Sequence, residues 1–406
     1  MTTTFAYKVR DQAGKLIEGQ LDAEDASNVV GKLRQMGYTP IAVEAKIESK
    51  LKGEIKIPGF SGKVKLKDVA VFSRQFAVMI NSGLSLIRAL AILADQTENP
   101  ELARIVSEIR LDVEKGVSLS SAIAKHPKAF SRLYIAMVRS GEVGGVLDAV
   151  LMRLADTIEK QVELRRKVKS AMTYPVVALS ICLIISAAML LFIVPQFKAI
   201  YVDLGGELPL PTRVLISLSD MLKTWFPVVI LAAGVGIYFF RRWIKTDTGR
   251  VRWDAFKLRM PVFGLLTRKT ALARFSRTLS ALTRSGVGIL EALDIVAETA
   301  GNEIVSIALR ETQGAVKRGD TLARPLEQHE VFPPMVVQMI AVGEETGALD
   351  EMLDKIADFY DQEVTATVDA LTSLIEPLMI VVMGSIVGGM VISLYLPMFN
   401  IIKLIK

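Results

Sequence analysis

Ser170–Phe197 reads SAMTYPVVALSICLIISAAMLLFIVPQF and contains no Lys, Arg, Asp or Glu. As a helix rising 1.5 Å per residue it would reach roughly 40 Å, more than the ~30 Å hydrocarbon core of a bilayer. We read it as a transmembrane helix over 170–197, ending at Pro195, where the ring removes a backbone donor. The cluster Arg165, Arg166, Lys167, Lys169 precedes it. Lys and Arg collect on the cytoplasmic side of spans, so this cluster puts the preceding chain in the cytoplasm.

The stretch has an echo near the C-terminus. Residues 376–399 read EPLMIVVMGSIVGGMVISLYLPMF, in which Pro377 matches Pro175 and Pro397-x-Phe399 matches Pro195-x-Phe197. Two equivalent spans predict two equivalent halves, and internal repeats decide the architecture. Phe72-Ser73-Arg74 aligns with Phe275-Ser276-Arg277, Ser82-Gly83 with Ser285-Gly286, Gly116 with Gly319, Phe130 with Phe332, Gly141-Glu142 with Gly343-Glu344, and Leu147-Asp148 with Leu349-Asp350. The register drifts by one residue along the repeat. Both halves run in the same direction, so the chain must cross back once. Residues 224–240, TWFPVVILAAGVGIYFF, supply that return, followed by Arg241, Arg242 and Lys245. Trp225 and Trp243 are expected to mark its two interfaces.

The expected fold is therefore an all-α membrane protein: two repeated cytoplasmic bundles of about six helices, three transmembrane helices and a small α+β N-terminal module. Phe5–Val9 and Leu16–Leu21 read as a hairpin turning at 11–15. Asp22 or Asp25 can cap a helix carrying Val29, Val30, Leu33 and Met36, and a strand follows Gly37. The boundaries are 1–45 for this module, 46–67 for a Lys-rich linker, 68–169 for the first bundle, 170–197 for the first span and 198–223 for an external loop. Then come 224–240 for the second span, 241–270 for a cytoplasmic connector, 271–375 for the second bundle, 376–399 for the third span and 400–406 for an external tail. The linker lysines can either touch anionic headgroups, at about 1 kcal/mol each, or serve a solvated tether.

Composition agrees. Of 406 residues 51% are hydrophobic, and the net charge is +6; with three apolar spans, lipid rather than nucleic acid is the expected neighbour. The N-terminus shows no basic-then-apolar signal region, so we place it in the cytoplasm. Cys182 is the single cysteine, which leaves no disulfide framework and no Cys-based metal site.

No phosphate loop, nucleophile elbow, zinc motif or dinucleotide fingerprint is present. The two histidines, His126 and His329, sit at matching places and read as structural. No enzyme activity and no cofactor are expected. Glu376 is the one acid touching a span, either a dipole-stabilised interfacial carboxylate or a proton or partner site. Gly384 and Gly388 form GxxxG, a face for close helix approach, within the chain or to a second copy. GEVGG (141–145) and GEETG (343–347) read as glycine-rich loops in which Glu142 and Glu344 accept N–H bonds, as docking edges, or as carboxylates sharing a divalent cation. A transporter would need polar groups at mid-membrane, and an intramembrane enzyme would need more than Ser180, Cys182 and Ser186.

K-x-x-x-A-x-T-Y-P-x-V in 167–177, F-I-V-P-x-F in 192–197, FSRQ in 72–75 and the repeated SG and GE blocks resemble the inner-membrane platform proteins of type IV pilus assembly and type II secretion. The resemblance implies a bacterial inner-membrane scaffold whose bundles meet a cytoplasmic hexameric assembly or retraction ATPase. Its spans would receive pilin or pseudopilin helices beside other inner-membrane assembly proteins. The linker and FSRQ look like the pilus branch, and a homo-oligomer, a dimer or larger, is expected. Candidate partner-binding residues are Arg74, Gln75, Gly141, Glu142, Gly144, Gly145, Arg277, Gly343, Glu344 and Gly347. Candidate interface and packing residues are Tyr174, Pro175, Pro195, Glu376, Pro377, Gly384, Gly388 and Pro397. The second copy has Ile375-Glu376-Pro377 where the first has Thr173-Tyr174-Pro175, so the halves are expected to meet different partners.

Overall fold

The computed structural model describes residues 3–10, 16–23, 25–45, 63–197, 209–261 and 263–404. The chain divides into two units, 1–61 and 62–406. In the first, β1 (Thr3–Arg10), β2 (Leu16–Ala23) and β3 (Thr39–Ala45) form an antiparallel sheet with β1 in the middle. Helix α1 (Ala26–Gln35) is capped by Asp25, which accepts the N–H of Asn28 at 2.8 Å. Val29 and Leu33 bury its inner face on Val9 and Ala23. The expected turn at 11–15 and nearly all of the Lys-rich linker lie outside the described residues.

In the second unit the first half contains α2 (Leu66–Asn81), α3 (Leu86–Gln96), α4 (Pro100–Glu114), α5 (Leu119–Ala124), α6 (Arg132–Gly144) and α7 (Leu147–Ala188). Then come α8 (Leu210–Ile244) and α9 (Asp247–Arg259). The second half repeats the series as α10 (Phe263–Arg284), α11 (Ile289–Thr299), α12 (Glu303–Lys317), α13 (Ala323–Glu327), α14 (Pro334–Thr346) and α15 (Leu349–Leu404). Helix α10 thus starts inside the stretch 241–270 expected as a connector.

Each bundle closes on aromatics contributed by its first helix. Phe72 meets Phe76 and Phe130 at ring distances of 5.6 and 5.7 Å, and Phe130 meets Tyr134 at 4.7 Å. Phe275 meets Phe332 at 5.2 Å in the second copy. Burying one such ring stabilises a core by about 1.5–3 kcal/mol. The bundles share a single buried cluster, and Ser140 Oγ donates to the Ser285 carbonyl across it.

Two helices among the described residues are long and apolar enough to cross a membrane, 147–197 and 349–396. The first does not stop at Pro195. Helical backbone runs on to Phe197, through a π-turn at Met189–Ile193 in which the Val194 N–H reaches back to the Met189 carbonyl. The widened turn lets the backbone pass the proline ring. In that register the missing N–H of Pro195 orphans the Leu190 carbonyl, and the hydroxyl of Ser219 donates to it. Nor does the second helix stop at Pro397, and the stretch expected as a tail is helical through Leu404. Here the Ser393 carbonyl loses its donor and Thr212 Oγ1 replaces it.

Both hydroxyls belong to α8, which begins at Leu210 inside the stretch 198–223 expected as a loop. Pro209 and Pro211 are its cap and an early helical residue, positions that suit proline. Thr212, Leu215, Ile216 and Ser219 form one buried face at heptad-like spacing, packed on Leu190, Val194, Met390 and Leu394.

Candidate functional site

The two GE blocks are the last turns of α6 and α14 rather than loops. Only Gly145 and Gly347 leave the helix, at φ +66° and +72°, where glycine meets no Cβ penalty. Gly141 and Gly343 stay helical because the next helix crosses over them. A Cβ on Gly141 would lie 3.1 Å from Val150 Cβ, and one on Gly343 3.0 Å from Leu349 Cα.

The carboxylates beside these glycines reach across to a neighbouring helix start. Glu142 accepts the backbone N–H groups of Leu119 and Ser120, the latter at 2.9 Å. Glu344 accepts the Leu322 N–H at 2.9 Å and the Ala323 N–H at 3.5 Å. Each closes the start of the short helix α5 or α13, so the expected N–H acceptance occurs across the bundle. A cation shared by Glu142 and Glu344 has no support: each carboxylate serves its own helix start, and no cluster among the described residues is placed to hold a metal.

What remains outward differs between the copies. Val143 (86% exposed), Gly144, Gly145 and Val146 form an apolar tip on the α6–α7 hairpin. The matching α14–α15 tip exposes Glu345, Thr346 and Gly347.

Arg74 and Arg277 bind the first helix of each bundle to the helix that becomes apolar. Arg74 clasps Glu159 through Nε at 2.8 Å and Nη2 at 2.6 Å, and also pairs with Asp156. Arg277 reaches Asp354 at 2.8 Å, Asp358 at 2.6 Å and Asp361 at 2.7 Å. Burial works to lower the Arg277 pKa, but bonds to Asp358 and Asp361 outweigh it and raise the value. Hydrogen bonds to Glu159 and then Asp156 raise that of Arg74. Both guanidinium groups are thus engaged within the chain, whereas Gln75 is exposed. The acids were legible as a repeat: Asp156 and Glu159 recur as Asp358 and Asp361 in the register of Glu142 and Glu344.

The halves are also tied to each other. Lys160 on α7 reaches Asp358 on α15 at 3.2 Å, and Arg132 reaches Asp294 at 2.9 Å and Glu298 at 2.5 Å. His126 and His329 face Glu108 and Glu311 at 3.7 and 3.2 Å in matching places.

Of the interface and packing residues, Tyr174, Glu376 and Pro377 are exposed, Pro175 is buried inside α7, and Pro195 is half-buried. Gly384 and Gly388 have open space around them.

Residues 72–195 and 275–397 match the family described as type II secretion system (T2SS), protein F. The chain belongs to that protein F family. Residues 1–44 match the N-terminal domain of the same family, so the three matched segments lie between residue 1 and residue 397. Among curated protein F relatives, a type IV pilus assembly protein PilC of Thermus thermophilus is 49% identical over 402 residues, 98% of each chain. A PilC of Myxococcus xanthus is 44% identical over 98% of this chain and 95% of its own. A type II secretion system protein F of Pseudomonas aeruginosa is 35% identical over 99% of each.

Proposed function

We propose that this chain is a non-enzymatic inner-membrane platform of type IV pilus assembly. It couples a cytoplasmic hexameric assembly or retraction ATPase to the insertion or removal of pilin subunits at the fibre base. The observation that carries the mechanism is continuity: the helix held by Arg74, and the one held by Arg277, each run without a break into an apolar segment. A push on a bundle is thereby delivered to the membrane as a displacement of a rod.

In this reading the chain crosses the bilayer three times. Helix α8 supplies the return, and the N-terminal α+β module and both bundles lie in the cytoplasm. Side chains 231–240 on α8 are uniformly exposed, which suits a lipid-facing segment. The spans meet pilin or pseudopilin helices and neighbouring inner-membrane assembly proteins. The open Gly384–Gly388 face serves a homo-oligomeric contact, and no cofactor or nucleic acid takes part.

The ATPase docks at the α6–α7 tip, where Val143 and Val146 lie exposed beside Gly144 and Gly145. Glu142 and Gly141 act behind them by fixing the tip, as Glu344 and Gly343 do for the acidic tip, whose different surface suits a different partner. The full chain carrying Val143→Glu and Val146→Glu is expected to insert normally but no longer co-purify with the assembly ATPase. Unchanged co-purification would remove this tip from the docking surface.

A further inference from the structure

Where α7 and α15 change from ion-paired to apolar helices, the fold forms a half-open cavity of about 490 Å³, within the usual range of ligand sites. Val168, Met172, Phe263, Leu266, Leu371 and Ile375 give it an apolar wall. Its charged lining, among the described residues, is wholly cationic: Arg165, Lys169, Lys257 and Arg274.

These cations are not equivalent. Lys257 is matched by Asp254 at 2.5 Å. Glu303, on the bordering helix α12, is held by Arg250 and Arg310 at 3.1 and 3.6 Å. Arg274 has no ion pair or hydrogen bond among the described residues, and its Nε is buried without an acceptor. Desolvation, joined by repulsion from Arg165, pulls its pKa below the ordinary arginine value.

A guanidinium largely withdrawn from water in an apolar wall is costly without a counter-charge, and an anion bound beside Arg274 would supply one. The guanidinium itself is given room: Gly301 has φ +78°, and a Cβ there would lie 2.1 Å from Arg274 Nη1. Nor is the site a by-product of the repeat. In the register that pairs Phe72 with Phe275, the first copy has the exposed Val71 at this place.

We propose that the cavity binds an anionic phospholipid, its phosphate held by Arg274 with Arg165 and Lys169 and its upper acyl chain lying on the apolar wall. The wall favours lipid over a free anion. Met172 and Ile375 lead directly into the exposed apolar side chains Val176, Val177 and Leu378 of the two apolar segments. A basic pocket at the cytoplasmic end of membrane helices is the expected place for such a headgroup. The inference rests on membrane insertion of α7 and α15, and not on the pilus role.

The test uses the full chain reconstituted in nanodiscs of phosphatidylcholine with phosphatidylglycerol, re-extracted, washed in detergent and weighed by native mass spectrometry. One phosphatidylglycerol is expected to stay bound and no phosphatidylcholine, with excess inorganic phosphate unable to displace it. Arg274→Gln should lower retention about tenfold, equivalent to ~1.4 kcal/mol. If Arg274→Gln does not fold, Arg165→Gln with Lys169→Gln should give a loss of the same order. Equal retention of the two lipids, or undiminished retention in folded variants, would overturn the proposal. Full displacement by phosphate would assign the site to a free anion and overturn it too. A chain that alkaline carbonate strips from membranes would overturn both this site and the membrane reading, whereas loss of pili alone touches neither.

Discussion

Thr212 Oγ1 donates to the backbone carbonyl of Ser393 at 2.5 Å, four residues before Pro397. The proline removes the N–H that would have closed this turn, and a hydroxyl from another helix replaces it. Ser219 does the same for Leu190 ahead of Pro195. Helix α8 therefore clamps both apolar helices at the points where their own ladders are interrupted.

Thr212→Val should cost about 0.6–1.7 kcal/mol, the range of interhelical hydrogen bonds in membranes. In a Pro397→Ala background the N–H is restored and the same change should cost almost nothing. Unfolding titrations of the four species in mixed micelles form a double-mutant cycle. Equal costs in both backgrounds would mean that the hydroxyl does not serve the orphaned carbonyl.

Arg277→Ala should destabilise far more than Arg74→Ala. The Arg277 side chain is 11% exposed and faces three aspartates, of which Asp354 keeps Arg284 and Asp358 keeps Lys160 when it is removed, while Asp361 loses its cation. A loss of about 2–3 kcal/mol is expected there. Arg74 is 31% exposed with two partners, and a loss nearer ~1 kcal/mol is expected. Thermal unfolding followed by circular dichroism ranks them.

Glycines of the same sequence type should separate by position. Gly141→Ala and Gly343→Ala press a Cβ onto the crossing helix and should each cost about 1–3 kcal/mol. Gly384→Leu meets open space, so melting should be unchanged while self-association in light scattering falls. A melting loss at Gly384 would mean that this face packs within one chain.

Glu159 is held below its ordinary pKa by the hydrogen bond from Arg74. For Asp358, burial acts upward, but bonds from Arg277 and Lys160 win and lower it. A carboxylate with a depressed folded-state pKa adds stability that is complete above its unfolded value, about 4, and is lost as pH falls through the folded value. Melting temperature should therefore be level from neutral pH to about 5 and fall below that, with a shallower fall in Arg74→Ala. An equal slope in wild type and variant would detach Glu159 from the acid transition.

The repeat was legible in the sequence because glycines and ring positions recur at fixed spacing, and the apolar runs 170–197 and 376–399 betray themselves by composition alone. The direction of Glu142 and Glu344 was not. Their partners start helices roughly twenty residues upstream, a pairing that only tertiary packing creates. The first turns of α8 were hidden for a related reason. Pro209, Pro211, Arg213 and Asp220 look like loop chemistry, and the buried face of Thr212, Leu215, Ile216 and Ser219 has meaning only against the two proline-interrupted helices. Pro195 and Pro397 misled in the same way, since proline ends an isolated helix but is tolerated where a neighbour supplies the lost hydrogen bond.

In the proposed mechanism α7 and α15 transmit bundle motion to the membrane as unbroken rods, and α7 is the simpler one to interrupt. Inserting Gly-Pro after Gln161, beyond the Arg74 clamp and before the apolar segment, breaks the rod while leaving both its ends intact. The variant is expected to reach the membrane at normal levels and to co-purify with the ATPase, yet to assemble no surface pili by electron microscopy. Normal piliation in that variant would rule out transmission through α7 as a rigid helix.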